Sequence, residues 1–331
     1  MSQHQDGKVI PGGQYARAWA SVICREVSVK SIAVVGVPTS AGAHAPGQER
    51  APEGFRHAGV MDLLAERGFD VDDHGDLPKV RWTPDPASPR AQHAGEVAGV
   101  ASSVADVVDA AAASADAVLV LGGDCTIEVG VVAAFARRPE RIGVLYLDAG
   151  PDLNVPSAVR LGFLDWMGTA HLLGLPEATS VLSRIGPRFP LLQPDQIVFV
   201  AAVPDELTSW EHRVVAEKEL AVLWVHEVKG RARQAATEAL GRCEREVDRF
   251  LVHFDVDVID FTDFPAADFP TINAGLTLTE ALECIEVFTR HPKFTALTVC
   301  EFNPDHVDEE HALVRTFVAR LIDALPSPTA A

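Results

Sequence analysis

Several stretches of this chain place acidic side chains where they could grip a cation. In LDAGPDLN (147–154), Asp148 and Asp152 flank a Gly-Pro pair at the end of an apolar run. In HFDVDVID (253–260), Asp255 and Asp257 stand two apart, and His253 shares their parity. On a strand all three side chains would point to one face. Two further apolar runs end on Asp124 and Glu301. If the four aspartates of the first two stretches converge, each like-charged pair at about 4 Å costs roughly 4 kcal/mol at an effective dielectric near 20. Such a cluster must protonate, spread apart or recruit a cation, and Mn²⁺ or Mg²⁺ is a natural occupant.

The elements that must position these groups are legible as a rhythm. Apolar, β-branched runs at 31–38, 69–78, 116–124, 141–150, 196–203, 220–228, 249–260 and 294–304 read as strands. Helical spacing covers 51–68, 94–114, 126–138, 231–246, 277–291 and 308–325. Strands alternating with helices predict a mainly parallel sheet covered on both faces. In such sheets ligands bind beyond the carboxyl ends of the strands, which is where the acidic residues fall. Residues 1–30 read as a tail or short helix, 31–325 as one domain and 326–331 as a tail.

Composition narrows the partners. The 331 residues are 47% apolar and 23% charged, with a formal net charge of −19. That sign argues against nucleic acid and anionic membrane and leaves a small molecule as the partner. Five scattered cysteines, without a CxxC pair, fit a reducing cytoplasm. The first residues lack the basic-then-apolar pattern of a secretory signal. No run approaches the roughly 18 apolar residues of a membrane span.

The motifs and their order resemble the arginase/agmatinase (ureohydrolase) family, and most of all its arginases. LGGDCT (121–126) resembles Gly-Gly-Asp-His-Ser, LDAGPDLN resembles Asp-Ala-His-x-Asp-x-Asn, and HFDVDVID resembles Ser-x-Asp-x-Asp-x-x-Asp. INAGLTLTE (272–280) and CEFNP (300–304) resemble the family's Gly-Gly-Leu-Thr and Glu-x-Asn-Pro segments. The resemblance implies a three-layer α/β/α sandwich with an eight-stranded, mainly parallel sheet. It implies metal-assisted hydrolysis, in which two Mn²⁺ ions activate water for attack on a guanidinium carbon. It also implies a homo-oligomer, a trimer or hexamer.

By that resemblance Cys125, Asp148, Asp152, Asp255 and Asp257 are the metal ligands. The sequence departs from the family at both metal-site histidines, which are Cys125 and Gly150 here. Cys125 could bind as a thiolate, shifting preference toward Zn²⁺ or Fe²⁺, or stay a buried thiol. His253 is an alternative ligand for the second ion, or an interior histidine. One, two or no ions remain open, with Mn²⁺ the expected metal. The family's proton-shuttling histidine is Asp165 here, which could act as acid or base if burial raises its pKa, or could equally be a new metal ligand or a plain surface loop residue. Glu301 resembles the glutamate near the guanidinium, and Asn154 an asparagine that holds the substrate carboxylate. Arg160 could clamp a carboxylate or face solvent. Asp205, Glu206 and Glu211 lie where arginases read the α-amino group. The apolar loop around Val159, Leu161 and Phe163 makes ordinary L-arginine a poor fit. The expected activity is hydrolysis of a linear C–N bond in a guanidino or ureido compound. The alternatives are an inactive binding or regulatory relative, or non-hydrolytic chemistry at a single metal.

Overall fold

A computed structural model describes residues 29–307 and 312–328. The segment expected as an N-terminal tail or short helix lies almost wholly outside the described residues. All eight expected strands form: β1 (Ser31–Gly36), β2 (Asp70–Asp76), β3 (Ala117–Leu121), β4 (Ile142–Leu147), β5 (Ile197–Ala202), β6 (Ala221–Trp224), β7 (Arg249–Asp255) and β8 (Phe294–Cys300). They make one sheet in the order β2-β1-β3-β8-β7-β4-β5-β6. Every pair is parallel.

Side-chain alternation along each strand feeds two cores. On β1, Ile32 and Val34 enter one core, packed with the helices Ala51–His57, Ala232–Cys243, Leu278–Thr289 and Ala312–Asp323. Ala33 and Val35 enter the other, under the helices Ala94–Ser114 and Ile127–Phe135. The central strands are buried on both faces, which is why they read as unbroken apolar runs. The result is the three-layer sandwich.

Three local readings are corrected. The helix expected over 51–68 is two helices, Ala51–His57 and Val60–Glu66, separated at Gly59 with φ 86°. The strand expected over 220–228 ends at Trp224, and Val225–Val228 is a helical turn. The strand expected over 249–260 ends at Asp255, and Val256–Val258 is a 3₁₀ turn. Asp257 therefore reaches the site from a turn, not from strand parity with Asp255. The helix expected over 94–114 forms as Ala94–Ser114, and it is long and apolar enough, by length and composition, to cross a membrane. Here one stripe, including Val97, Val104 and Val108, is buried in the second core. Asp106 and Asp109 on the same helix pair with Arg137 and Arg138. It is a layer helix of the sandwich.

His171, in the short helix Gly168–Leu172, is buried within this second layer. Burial pushes its imidazole down to about 4, with the Met167 backbone opposing only in part. The folded state therefore holds fewer protons than the unfolded chain, where histidine titrates near 6.5. The stability tied to this neutral ring is complete above about pH 6.5 and is lost as pH falls toward 4. We predict that between pH 7 and pH 5 the parent loses about 2 kcal/mol more than His171→Leu, measured by urea denaturation. Parallel losses in the two proteins would contradict this.

Candidate metal centre

The four strands at the middle of the sheet, β3, β8, β7 and β4, lie side by side. Each delivers one donor group to the same place. Asp255 is the last residue of β7, while Asp148 and Glu301 immediately follow β4 and β8. Cys125 follows β3 after Gly122, Gly123 and Asp124. Gly123 is required there: a Cβ would stand 1.8 Å from the Thr39 carbonyl oxygen. The close approach lets Asp124 N–H donate to Thr39 at 3.0 Å and Glu301 N–H donate to Gly123 at 2.9 Å.

The groups meet at the floor of a cavity of about 220 Å³. Cys125, Asp148, Asp152, Asp255, Asp257 and Glu301 all line it, as do Asn154, Asp165, Glu206 and Glu211. The Cys125 thiol donates to Asp255 Oδ2 at 2.9 Å. Asp255 Oδ1 accepts from Asp257 N–H at 2.7 Å, and Asp257 Oδ1 accepts from Ala149 N–H at 3.2 Å. Asp148 Oδ1 accepts from Gly150 N–H at 2.6 Å. Its Oδ2 is buried and has no hydrogen-bond partner. Asp152 accepts from the Tyr146 hydroxyl at 2.6 Å. Asp152 and Glu301 both hold left-handed backbone, with φ 51° and 59°. Such conformations carry strain of order 1–3 kcal/mol and collect at functional sites.

The electrostatics follow from the crowding. Burial, with neighbouring carboxylates adding to it, holds Asp148, Asp152 and Asp255 well above the usual carboxylate range. Burial also lifts Asp257 to about 6. Asp165 and Glu301 rise for the same first reason, each raised further by nearby acids. Burial raises the Cys125 thiol, and the Cys300 and Asp255 side chains add to the effect.

Other expected residues fall elsewhere. Arg160 is exposed and does not line the cavity, and Asp205 is likewise exposed and outside it. Asn154 accepts from the Thr208 hydroxyl at 2.8 Å. Glu211 accepts from Leu153 N–H at 3.1 Å and Thr208 N–H at 2.9 Å, capping the helix Ser209–Glu217. Asp124 is a loop tie rather than a member of the cluster, accepting from Gly42 N–H and Thr126 N–H, each at 3.0 Å. At Gly150 a Cβ would make only ordinary contacts, with Asp152 at 3.5 Å and Asp148 at 3.6 Å. There is space for a side chain at this position and no donor in it.

Sequence reasoning passed over Tyr146 and Glu128. Tyr146 lies flat on His253, with centroids 4.0 Å apart and planes 7° apart. Glu128, fully buried, meets His253 Nδ1 at 3.3 Å. The available signal was a lone acid inside the apolar helix IEVGVVAAF. The rim residues His44, Phe269 and Thr271 were also missed. They come from loops whose approach has no periodic signature.

Fold and site together define a class: a parallel α/β sandwich with a carboxylate-rich, cation-ready centre at its middle strand tips. The Arginase family model matches residues 30–324. The chain belongs to the arginase family. It is 29% identical over 295 residues to an arginase from Bacillus caldovelox, covering 88% of this chain and 96% of that one. The solved arginase from Bacillus cereus superposes with a TM-score of 0.80 at 26% identity, covering 91% of this chain and 100% of that one. A formimidoylglutamase from Bacillus subtilis shares the fold at a TM-score of 0.69 and 16% identity, covering 90% of this chain and 88% of that one.

A buried acidic cluster destabilises the metal-free protein at any pH where it must ionise. We predict that, in chelator at pH 8, Asp148→Asn gains on the order of 1 kcal/mol by urea denaturation. The same substitution removes the stabilisation that divalent cations give the parent. A variant less stable than the metal-free parent would contradict this.

Proposed function

We propose that this protein is a metal-dependent hydrolase that cleaves a linear C–N bond in a guanidinium-type substrate with an apolar substituent and no carboxylate, not ordinary L-arginine. The observation that carries this reading is the charge of the cavity wall. Eight carboxylate residues line it: Asp148, Asp152, Asp165, Asp255, Asp257, Glu206, Glu211 and Glu301. Among the described residues no lysine or arginine lines it. A cationic amidine finds many partners there, whereas a substrate carboxylate finds none of opposite charge. Leu161, Phe163, Trp166 and Phe269 form the apolar part of the wall. Leu161 and Phe269 stand more than half exposed.

The residues present fit one divalent ion better than two. The unpartnered, buried Asp148 Oδ2 faces a thiol, an imidazole and a second carboxylate. The second position depends on Gly150, which offers no donor. A bound ion supplies Lewis acidity and a nucleophile at neutral pH. The protein groups do the rest. Glu301, held by Cys125 N–H and Gln48 Nε2, each at 2.9 Å, orients a carboxyl group toward the substrate's N–H groups. Asp165 Oδ1 accepts from Trp166 N–H at 2.8 Å, which leaves Oδ2 to carry a proton. Burial keeps that proton on at higher pH than an ordinary carboxyl, so Asp165 serves as the acid for the departing nitrogen. The same proposal takes the enzyme to be cytoplasmic, in keeping with its scattered cysteines, and homo-oligomeric, as family resemblance implies.

Steady-state assays over alkyl and aryl guanidines, formimidoyl compounds and L-arginine test this. The expected result is a kcat/KM for an apolar guanidine at least about tenfold above L-arginine. Asp165→Asn should lower kcat by about a hundredfold with little change in KM. No turnover across the panel with metal bound would favour a non-catalytic, binding role. Preference for L-arginine would refute the substrate assignment.

A further inference from the structure

We propose that this chain holds its divalent ion through His253 and the Cys125 thiolate, together with Asp148 and Asp255. The ion would then sit on the cavity floor, and the mixed N, S and O donor set would favour Zn²⁺, Co²⁺ or Fe²⁺ over Mn²⁺ or Mg²⁺. The inference rests on the reading that the site binds a cation, but not on turnover.

Four donor atoms, one from each of these residues, lie within 4.8 Å of one another, and all four residues are buried. Cys125 Sγ is 3.3 Å from His253 Nε2 and 2.9 Å from Asp255 Oδ2. His253 Nε2 is 3.9 Å from Asp148 Oδ2. Around a tetrahedral zinc, with bonds of about 2.0–2.3 Å, neighbouring donors stand roughly 3.3–3.6 Å apart. These three edges bracket that range, and the remaining ones lie within 4.8 Å. Asp148 Oδ2 supplies an independent sign. It is buried, lacks a hydrogen-bond partner and is aimed into this group.

The surroundings of His253 are those of a ligand. Glu128 Oε2 meets its Nδ1 at 3.3 Å. A proton on Nδ1 shared with Glu128 leaves the Nε2 lone pair facing the other three donors. Carboxylate–histidine pairs orient metal ligands in this way. Tyr146 stacks on the ring and fixes its plane. The same tyrosine's hydroxyl engages Asp152, and Asp152 is absent from the four-donor group. His253 does not line the cavity, while Cys125, Asp148 and Asp255 do. An ion there has a ligand beneath it and an open side toward the cavity, as catalytic zinc sites do. Cys300 also approaches Cys125 and His253, but it lies outside the cavity wall. On ligation the thiol proton that Cys125 now donates to Asp255 leaves to solvent, and sulfur bonds the ion as thiolate.

The test is a Co²⁺ titration of the chelator-stripped, full-length protein, followed by absorption spectroscopy and equilibrium dialysis. The expected result is one Co²⁺ per chain, with intense tetrahedral d–d bands and a thiolate-to-cobalt charge-transfer band. Cys125→Ser should abolish the charge-transfer band, and Cys300→Ser should keep it. His253→Gln should weaken Co²⁺ binding at least tenfold. Mn²⁺ should compete poorly. Far-ultraviolet circular dichroism checks folding; if His253→Gln does not fold, the charge-transfer band and its loss in Cys125→Ser decide. Bound Co²⁺ without a charge-transfer band, lost in Asp148→Asn, would overturn this ligand set and leave the cation site standing. Failure to bind any divalent ion would overturn both.

Discussion

The constraint on which the rest of this structure depends is mutual repulsion among carboxylates gathered at the centre of the sheet. Asp148, Asp152, Asp255 and Asp257 share one cavity floor without a lysine or arginine in its described wall. In water such a group would be unremarkable. In a buried site each like-charged pair opposes ionisation by several kcal/mol; burial first, with neighbouring carboxylates adding to it at Asp148, Asp152 and Asp255, holds these groups protonated to higher pH. A fold selected for stability alone would avoid it. A divalent ion removes the conflict by converting mutual repulsion into shared attraction.

The scaffold serves this concentration of charge. Four adjacent parallel strands end at one level, and residues within or shortly after their tips project into a common space. Gly123 lets the loop after β3 close against Thr39 in the loop after β1, and Cys125 N–H donates to Glu301 just beyond β8. Left-handed backbone at Asp152 and Glu301 aims two more acids inward. Extensive apolar burial in both layers supports these local costs.

Much of this was legible in the chain. Buried parallel strands announce themselves as unbroken apolar runs, so all eight could be placed, and the acids at their ends marked the site. What the sequence concealed was geometry within a few residues. Asp257 looks like a strand neighbour of Asp255, but the strand stops at Asp255 and a turn takes over. Arg160 stands in a loop beside the site, and nothing local reveals that it faces solvent. His253 could be placed on the correct face by parity. Its meaning depends on Glu128 and Tyr146, which come from different elements and meet only in three dimensions. The cavity rim was least legible, because loop contacts leave no periodic trace.

The central claim is that the carboxylate cluster exists to hold a cation at the middle strand tips. The most direct measurement is a crystal structure of the protein grown with Zn²⁺ or Co²⁺, with anomalous data collected at the absorption edge of that metal. The account predicts one strong anomalous peak within bonding distance of Asp148 and Asp255, on the cavity floor. A map without a peak in this cavity, from protein shown to be folded, would contradict it.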